Sequence, residues 1–534
     1  MKLKIQDTFN KKLPADSNRE NTIRQVFESC FSYVWPKKPS NPKLLHVVDE
    51  VADLLGLTKE DIRSQDFLEI FTGAQVLTDT DPYAMCYGGH QFGNWAGQLG
   101  DGRAINLTEI LHNNKRWSLQ LKGSGLTPYS RSADGLAVLR SSIREHLCAE
   151  AMYHLRVPTT RSLSLSLSGD QVLRDVMYDG NAAKEKGAIV CRVSPCFIRF
   201  GNFEIFARRN DIETLKKITN YTINEFYPNI EPGTKEGYLS FFNIIVNNTL
   251  DMIVNWQRVG FVHGVMNTDN MSIHGLTIDY GPYGWLEGYD PDWTPNTTDK
   301  QFRRYRFGNQ PQIALWNLYQ LANALFPLVE ETKKFEEILK NYNSNYISKY
   351  LSMMRQKLGL IKEDELDNKL ILDLENTLRL TETDMTIFFR NLANVPKKMR
   401  VTEDISCLNY VIDAFYKPDE ITDTFYKPEE LKDTVITKWK GWFRSYLDRL
   451  KIEDLSDKDR KIEMNKVNPK YVLRNYISQL VIDAADKEDY SLIDEVYTML
   501  KNPYDEQQNY QKWFAKRPEW ARNKVGCSML SCSS

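Results

Sequence analysis

The stretch that decides the fold is His263-Gly264-Val265-Met266-Asn267-Thr268-Asp269-Asn270, followed by Ile278-Asp279-Tyr280-Gly281. Asn270 and Asp279 offer amide and carboxylate oxygens, the hard donors that Mg²⁺ and Mn²⁺ prefer. The alternative is an asparagine in a turn and an aspartate at a strand end. His263-Gly264, Asn270 and Asp279-Tyr280-Gly281 follow one another in the order of a known pair of catalytic loops. The pattern therefore favours a shared divalent-metal site.

That order is the order of the catalytic and metal-binding loops of protein kinases, with one change. Kinases carry a catalytic aspartate two residues after the histidine, in the pattern His-x-Asp-x-x-x-x-Asn. Val265 stands at that position here, and its side chain cannot accept a proton. A carboxylate reappears at Asp269, which is the candidate for activating an acceptor hydroxyl, with support of the metal as the alternative role. His263 is predicted to organise the backbone. The pattern therefore indicates a kinase-like nucleotide site whose chemistry is not ordinary phosphoryl transfer.

The segment between the two metal-site residues is predicted to fold as a hairpin. Residues 271–273 and 276–278 would pair around the turn His274-Gly275. Such a hairpin would bring Asn270 and Asp279 to the same end.

Composition bounds the class of protein. The chain has 534 residues with 42% hydrophobic and 26% charged residues, which is typical of a large globular protein of one to three domains. The formal net charge of −2 gives no basic field for nucleic acid or an anionic membrane. No apolar run approaches the roughly 20 residues that span a bilayer. Eight cysteines without a C-x-x-C pair do not form a disulfide framework, so a reducing compartment is expected.

A kinase-like small lobe is predicted upstream of the metal-site stretch. Residues 116–122 alternate like a strand that ends at Lys122, and a turn follows. Asp134 is predicted to cap a helix that carries Glu145. The apolar stripe of this helix is Leu136, Leu139, Ile143, Leu147 and Leu155. Lys122 would neutralise phosphate and Glu145 would hold the lysine in place.

Further residues are candidates for phosphate contacts. Gly100-Asp101-Gly102-Arg103 could form a phosphate loop, in which backbone N–H groups and Arg103 face the ligand. Arg192 and Arg199 flank an apolar stretch, and arginine suits bidentate phosphate contacts. For each of these residues alone, an ordinary turn or a surface ion pair is the alternative.

The remaining elements follow from local patterns. The spacing predicts a helix over residues 44–55, a bent strand pair over the glycine-dense residues 87–104, and a strand over 188–193. A helix is predicted over 243–259, and from about residue 312 the chain is predicted to be mostly helical. Residues 415–424 are nearly duplicated by 425–434, a local duplication without an assigned function.

The chain resembles the selenoprotein O family, the YdiU-like proteins with a kinase fold. The motifs that carry the resemblance are residues 87–93, 121–131, 139–145, 192–201, 267–271, 279–282, 468–475 and 503–506. They extend over most of the chain. The resemblance implies an α+β, protein-kinase-like two-lobed fold with an N-terminal extension (1–75), an N-lobe (76–205), a C-lobe (206–400) and a C-terminal helical region (401–534).

The resemblance also implies an activity. The family binds ATP in an inverted orientation and transfers AMP to Ser, Thr or Tyr hydroxyls of proteins, releasing pyrophosphate, with UMP transfer implied when Mn²⁺ is supplied. Asp269 would be the proton acceptor, Asn270 and Asp279 would hold Mg²⁺ or Mn²⁺, and Glu145 would position Lys122. The nucleotide-binding residues would be Gly100, Gly102, Arg103, Lys122, Asp134, Gly135, Arg192, Arg199 and Asp279. An atypical kinase that uses Asp269 as its base and a nucleotide-binding pseudokinase scaffold are the alternatives.

The C-terminal tail departs from the family pattern. Cys532 occupies the place of the family's selenocysteine or cysteine, and Cys527 precedes it. In some bacterial relatives the tail cysteine pairs with a cysteine just after Asp-Tyr-Gly-Pro, where Tyr283 stands here. A Cys527–Cys532 redox pair, an enzyme without a lock and two free thiols are the alternatives. The resemblance implies a cytoplasmic protein if the source is bacterial and a mitochondrial one if it is eukaryotic.

Overall fold

The computed structural model describes residues 1–401, 406–416 and 431–531. Helices and antiparallel strands are mixed along the chain, which confirms the α+β class. The strands are β1 Phe31–Tyr33, β2 Lys43–Val47, β3 Tyr83–Met85, β4 Gly88–Gln91, β5 Asn94–Gln98, β6 Ala104–His112, β7 Lys115–Lys122, β8 Ala137–Val138, β9 Arg161–Arg174, β10 Ala183–Ser194, β11 Phe261–Val262 and β12 Gly284–Trp285. The helices are α1 Phe9–Lys12, α2 Asp49–Leu54, α3 Lys59–Ile62, α4 Gln65–Thr72, α5 Leu139–His154, α6 Gly201–Arg208, α7 Ile212–Phe226, α8 Lys235–Val259, α9 Gln310–Val329, α10 Thr332–Leu358, α11 Asp367–Leu378, α12 Met385–Leu392, α13 Asp433–Leu450, α14 Asp457–Val467, α15 Asn475–Asp486 and α16 Ser491–Leu500.

One antiparallel sheet carries most of the residues that matter for function. Its strand order is β1-β3-β6-β7-β10-β9-β2, and β8 pairs with β10 at the side of this path. In β7, Leu119 and Leu121 lie in the core, as their alternation predicts. The polar face of β7 is buried as well, with Gln120 0% and Lys122 9% exposed. Buried polar groups need partners inside the protein. On this face the partners are Glu145 for Lys122 and Arg192 for Gln120.

The start of the helix after β7 differs from the prediction. Asp134 is not its N-cap, because α5 begins at Leu139 and Val138 precedes it. The two residues before the helix pair with β10 as β8, so the chain stays extended up to that point. The Asp134 carboxylate instead accepts the Leu136 N–H at 3.0 Å and pairs with Arg174 at 2.7 Å. The helix packs against β9 and β10, and the predicted apolar residues Leu139, Ile143, Leu147 and Leu155 are buried. Leu136 lies before the helix and is only partly buried, so it is not part of the stripe.

The predicted helix over residues 44–55 is wrong in its first half. Lys43–Val47 forms the edge strand β2, which pairs with β9, and only Asp49–Leu54 is helical. The apolar residues of this segment fit both the helical repeat of about 3.6 residues and the strand repeat of about two. Pairing with a strand more than a hundred residues away favoured the strand. Local spacing cannot reveal such a partner.

The predicted hairpin over residues 271–278 is also wrong. Ser272 bridges to Arg199 and Thr277 bridges to Thr159, so the two arms pair with other segments instead of with each other. The turn between them is formed, since the Gly275 N–H donates to the Ser272 carbonyl at 3.1 Å. Residues from distant parts of the chain therefore hold both ends of the metal-site stretch.

The other predicted elements are formed. The glycine-dense segment contains the paired strands β4 and β5, the strand at 188–193 lies within β10, and the helix at 243–259 is the C-terminal part of α8. Helices α9 to α16 follow, as expected for the C-terminal part. Most of the duplicated segment, residues 417–430, lies outside the described residues. Among the described helices, none has the length and apolar content needed to cross a membrane.

The kinase-like two-lobed arrangement and the four predicted segments stay predictions. The strands β1 and β2 come from the first segment, residues 1–75, and both belong to the main sheet. This segment is therefore integrated with the next one through strand pairing.

A buried histidine pair predicts how stability depends on pH. His146 on α5 is fully buried, 2.8 Å from His46 and 2.6 Å from the Ser162 hydroxyl. Burial, with His46 adding to it, holds the pKa of His146 well below its usual value. The unfolded chain therefore takes up a proton first as the pH falls below about 6.5, and the folded state loses stability by up to about 1.4 kcal/mol per pH unit for each such group. We expect the urea midpoint to fall from pH 7 to pH 5.

The matched variant for this prediction is His146→Gln, which keeps hydrogen-bonding capacity without a titratable ring. It is expected to be less stable at pH 7 and to lose less stability between pH 7 and pH 5. Equal losses in the two proteins would contradict the assignment. The acidic groups that face His46, Asp494 at 3.4 Å and Asp49, remain the same in both proteins.

Candidate active site

The site starts at the end of β7, where Lys122 meets α5. The Lys122 ammonium forms a buried ion pair with the Glu145 carboxylate, which also accepts from Nε of Arg192 on β10. Strand pairing places these groups together, since Lys122 lies opposite Val190, two residues before Arg192. Burial lowers the pKa of Lys122 to about 8, although Glu145 acts in the opposite direction. The contact predicted between Lys122 and Glu145 is thus formed, and its catalytic role stays a prediction.

Two arginines connect this pair to the metal-site stretch. Nη1 of Arg192 lies 2.8 Å from one carboxylate oxygen of Asp279, and Arg199 pairs with the other oxygen. Arg199 also donates to the backbone carbonyl of Asp269 at 3.0 Å. Burial alone would raise the pKa of Asp279, but Arg199 and Arg192 hold it well below its usual range. A cluster of three cations (Lys122, Arg192, Arg199) therefore surrounds two ionised carboxylates.

Backbone contacts shape the loop of residues 263–270, here called the catalytic loop. Nε2 of His263 contacts the Ile278 carbonyl at 2.9 Å, and the Val265 N–H points to its Nδ1 at 3.4 Å. Burial lowers the pKa of His263, which fits a neutral ring in a backbone-organising role. The amide of Asn270 donates to the Val265 carbonyl at 2.9 Å. Asp279 has φ of 56°, a left-handed conformation that is uncommon outside glycine and is found at constrained functional sites.

Asp269, the predicted proton acceptor, is buried and has few polar partners. It is 8% exposed, and its Oδ1 is buried without a hydrogen-bond partner. Its Oδ2 lies 3.4 Å from the Gln91 amide. Burial raises the pKa of Asp269 to about 7, with Arg199 acting against this shift. A carboxyl group with a pKa near neutral pH both accepts and releases protons readily.

The donor set fits a divalent metal ion. Asp279 and Asn270 offer oxygens, and Mg²⁺ is usually held by one or two carboxylates together with substrate phosphates. Oδ1 of Asp269 is a buried oxygen without a hydrogen-bond partner, which a nearby cation would satisfy. Within residues 1–401, 406–416 and 431–531, no group of three or more His, Cys, Asp or Glu side chains forms a complete cage, so phosphates would have to supply further ligands.

The structure places the predicted phosphate loop next to Lys122, with a different reason for its glycines. The N–H of Gly100 donates to Tyr87 and that of Gly102 donates to Gly100, so both are engaged within the protein. A Cβ atom at Gly100 would strike the Tyr129 ring. Arg103 is exposed, and its carbonyl accepts from Gly123, the residue after Lys122. The phosphate contacts of the loop stay predictions.

Asp134 and Gly135 lie at the edge of the same region. The Gly135 carbonyl accepts the Gly125 N–H at 3.2 Å, in the turn that follows β7. Gly135 has φ of 72°, and a Cβ there would collide with the Gly125 backbone. Asp134 is exposed and paired with Arg174, so it sits at the rim of the site and not in the cation cluster.

Sequence reasoning missed several polar residues that support the cluster. Gln120 accepts from Arg192 at 3.0 Å, and Asp101 lies 4.0 Å from Arg199. Asp101 also accepts the Met85 N–H at 2.9 Å and the Asn106 amide at 3.0 Å. Gln120 shares a strand face with Lys122, so the alternation of β7 could have identified it. Asp101 gave no signal beyond its place between two glycines.

The C-terminal tail packs against Asn475, at the start of α15, and against Pro295. Cys527 is a buried free thiol, and burial raises its pKa to about 11. Its carbonyl accepts from Asn475 at 2.6 Å, and the Leu530 N–H donates to Pro295 at 3.0 Å. Cys532 lies outside the described residues, so the redox pairing of the two cysteines stays a prediction.

Comparison with known proteins identifies the family of the chain. The family described as "Protein adenylyltransferase SelO" matches residues 15–501. A protein of Flavobacterium johnsoniae named "Protein nucleotidyltransferase YdiU" is 62% identical over 100% of this chain and 99% of its own length. Proteins with the same name from Rhodopirellula baltica and an Azoarcus species are 53% and 49% identical, each over 100% of this chain and 99% of their own length. The chain therefore belongs to the SelO family of protein adenylyltransferases and is a nucleotidyltransferase.

Proposed function

We propose that this enzyme transfers AMP from ATP to Ser, Thr or Tyr hydroxyl groups of proteins, with Mg²⁺ or Mn²⁺ bound. The observation that carries the proposal is the placement of Asp269. Its buried carboxylate directly precedes the proposed metal ligand Asn270, and Arg199 connects its backbone to Asp279, whereas the kinase base position holds Val265. Asp269 lies four residues after the position of the kinase base. A base at this shifted position suits an acceptor hydroxyl that attacks the α-phosphate of ATP and not the γ-phosphate.

The reaction follows from the residues around the cluster. The acceptor oxygen attacks the α-phosphorus, the bond from this phosphorus to the bridging oxygen breaks, and pyrophosphate leaves with the electron pair. Asp269 takes the proton of the acceptor hydroxyl. Asn270 and Asp279 would hold the metal ion, which would supply positive charge beside the phosphates. Lys122, Arg192 and Arg199 would stabilise the charge of the departing pyrophosphate, since cations fixed in a buried site need no reorganisation.

The ion pairs of the cluster suggest how nucleotide binding begins. Arg192 and Arg199 now share the Asp279 carboxylate. Both guanidinium groups would bind phosphate oxygens, which arginine contacts in a bidentate manner, while Asp279 would hold the metal ion. Gly100, Gly102, Arg103, Asp134 and Gly135 would line the rest of the nucleotide site. With Mn²⁺, UTP is proposed as an alternative donor.

The test compares the fate of two labels. The enzyme is incubated with a protein acceptor and with ATP labelled at the α- or the γ-phosphorus, and intact masses are recorded with Mg²⁺ and with Mn²⁺. Transfer of the α-label with an AMP-sized mass addition is expected. Transfer of the γ-label with a phosphate-sized addition would instead support the atypical kinase, and nucleotide binding without any addition would support the scaffold.

Asp269→Asn is the variant that tests the base. The amide keeps the size of the side chain and cannot take a proton, so the rate of AMP transfer is expected to fall by about 100-fold. ATP affinity should change by less than about twofold. A variant that retained more than a third of the rate would rule out this role for Asp269.

A further inference from the structure

The hairpin formed by β4 and β5 (residues 88–98) is hydrogen-bonded to the catalytic loop, although no step of the proposed reaction uses it. The His90 N–H donates to the Thr268 hydroxyl at 2.7 Å. The Phe92 N–H donates to the Asn267 side chain at 3.2 Å and to the Tyr305 hydroxyl at 2.9 Å. The hairpin thus binds two successive residues that directly precede Asp269.

Gly89 lies against the Asp269 side chain. A Cβ atom built at Gly89 would come within 2.8 Å of Oδ1, 3.0 Å of Cβ and 3.2 Å of Cγ of Asp269, and these are its three nearest atoms. The backbone of Gly89 is not in the left-handed region, so the conformation itself does not require glycine. The missing side chain therefore leaves space for one group, the Asp269 carboxylate.

The other side of the hairpin is fixed to α6. The His90 ring pairs with the buried Glu204 carboxylate and accepts from Arg208 at 3.2 Å. The same helix is joined to the cation cluster, because Asn202 accepts the Arg199 N–H at 2.8 Å and donates to the Cys86 carbonyl at 3.1 Å. One rigid set of contacts therefore fixes the position of Asp269 relative to Arg199.

We infer that Gly89 and His90 are positioning residues of the transfer reaction: the hairpin sets the place and direction from which the Asp269 carboxylate takes the proton. The inference rests on the proposed role of Asp269. If the inference holds, a small displacement of the Asp269 carboxylate slows the chemical step and leaves nucleotide binding unchanged.

The test is Gly89→Ala, compared with Gly441→Ala in α13. The three atoms nearest to the added methyl group at 89 all belong to Asp269, whereas the methyl group at 441 meets nothing within 4 Å. A displacement of a reacting group by a few tenths of an ångström to 1 Å costs up to about 100-fold in rate. We expect kcat to fall about 10- to 100-fold in Gly89→Ala, with KM for ATP and the thermal midpoint close to those of the parent. Gly441→Ala should match the parent in kcat.

A double-variant comparison separates this inference from the proposed function. In an Asp269→Asn background, Gly89→Ala should lower the residual rate by less than about twofold, because the group it displaces no longer acts. If Asp269→Asn itself keeps the parent rate, the proposed base is wrong. If Asp269→Asn is slow and Gly89→Ala is as fast as the parent, the positioning role is wrong.

Thr268 provides the second readout. Thr268→Val keeps the shape and removes the hydroxyl that accepts from His90, whereas Thr268→Ser keeps the hydroxyl. A lower kcat at constant KM for ATP in the valine variant, largely rescued in the serine variant, is expected. Equal rates in the valine and serine variants would overturn the inference for His90, even if both proteins were fully folded.

Discussion

Asp279→Ala is expected to abolish AMP transfer, with a loss on the order of 1,000-fold. The carboxylate is the one ionised group of the site that both arginines contact, and it is also the candidate anionic metal ligand. Its removal would take away the metal and leave Arg199 with backbone carbonyls at 3.0 and 3.3 Å as its main remaining acceptors. The measurement is transfer of the α-label at saturating ATP and varied metal concentration.

Asp279→Asn refines this prediction. The amide keeps the size of the side chain but frees Arg192 and Arg199 from a negative charge. We therefore expect ATP to bind without metal at least as tightly as to the parent, while transfer stays abolished. Asp454→Asn is a control at a surface site, since its carboxylate is 87% exposed and pairs with Lys362. Transfer by Asp279→Ala within about tenfold of the parent would exclude this residue as the metal ligand.

The order of residues in the sequence predicted the main contacts of this site for a physical reason. Lys122 ends β7 and Glu145 lies on α5, the next helix along the chain, so the order of strand and helix predicted their contact. Asp269 and Asp279 are instead joined by a residue from outside this stretch, since Arg199 contacts the Asp269 carbonyl and the Asp279 carboxylate. Local order therefore predicts the contact of Lys122 with Glu145, but not the way in which Asp269 and Asp279 are held.

The errors arose where partners are distant in sequence. Residues 43–47 are extended because β9 offers a free edge, and Ser272 and Thr277 separate because Arg199 and Thr159 bind them. The hydrogen bond from the His90 N–H to the Thr268 hydroxyl joins residues that are 178 positions apart. The glycines of this segment predicted a bent strand pair, but only the tertiary structure identifies Asp269 as the group that lies against Gly89.

Glu145→Gln and Lys122→Met are expected to stop the same reaction and to affect stability in opposite ways. Glu145 is 3% exposed and balances two buried cations, Lys122 and Arg192. Replacing it with an amide leaves both without their shared carboxylate, and breaking a buried pair in this way costs about 3–5 kcal/mol. The free energy of unfolding in urea should fall by that amount, and AMP transfer should fall by at least about 100-fold.

Lys122→Met removes the other partner and should be far less damaging to the fold. Glu145 keeps Arg192 as its counter-ion, and the charged ammonium that is lost was itself unfavourably buried, since its pKa is lowered from 10.5 to about 8. That shift corresponds to roughly 3 kcal/mol against the charged form, so an apolar side chain of similar length is expected to leave stability unchanged within about 1 kcal/mol or to increase it. Transfer should still be lost, because the cation that would face the pyrophosphate is absent. Equal destabilisation by the two substitutions would show that the ion pair mainly holds β7 against α5. Loss of activity without loss of stability in Lys122→Met would show that this lysine acts in the transfer reaction.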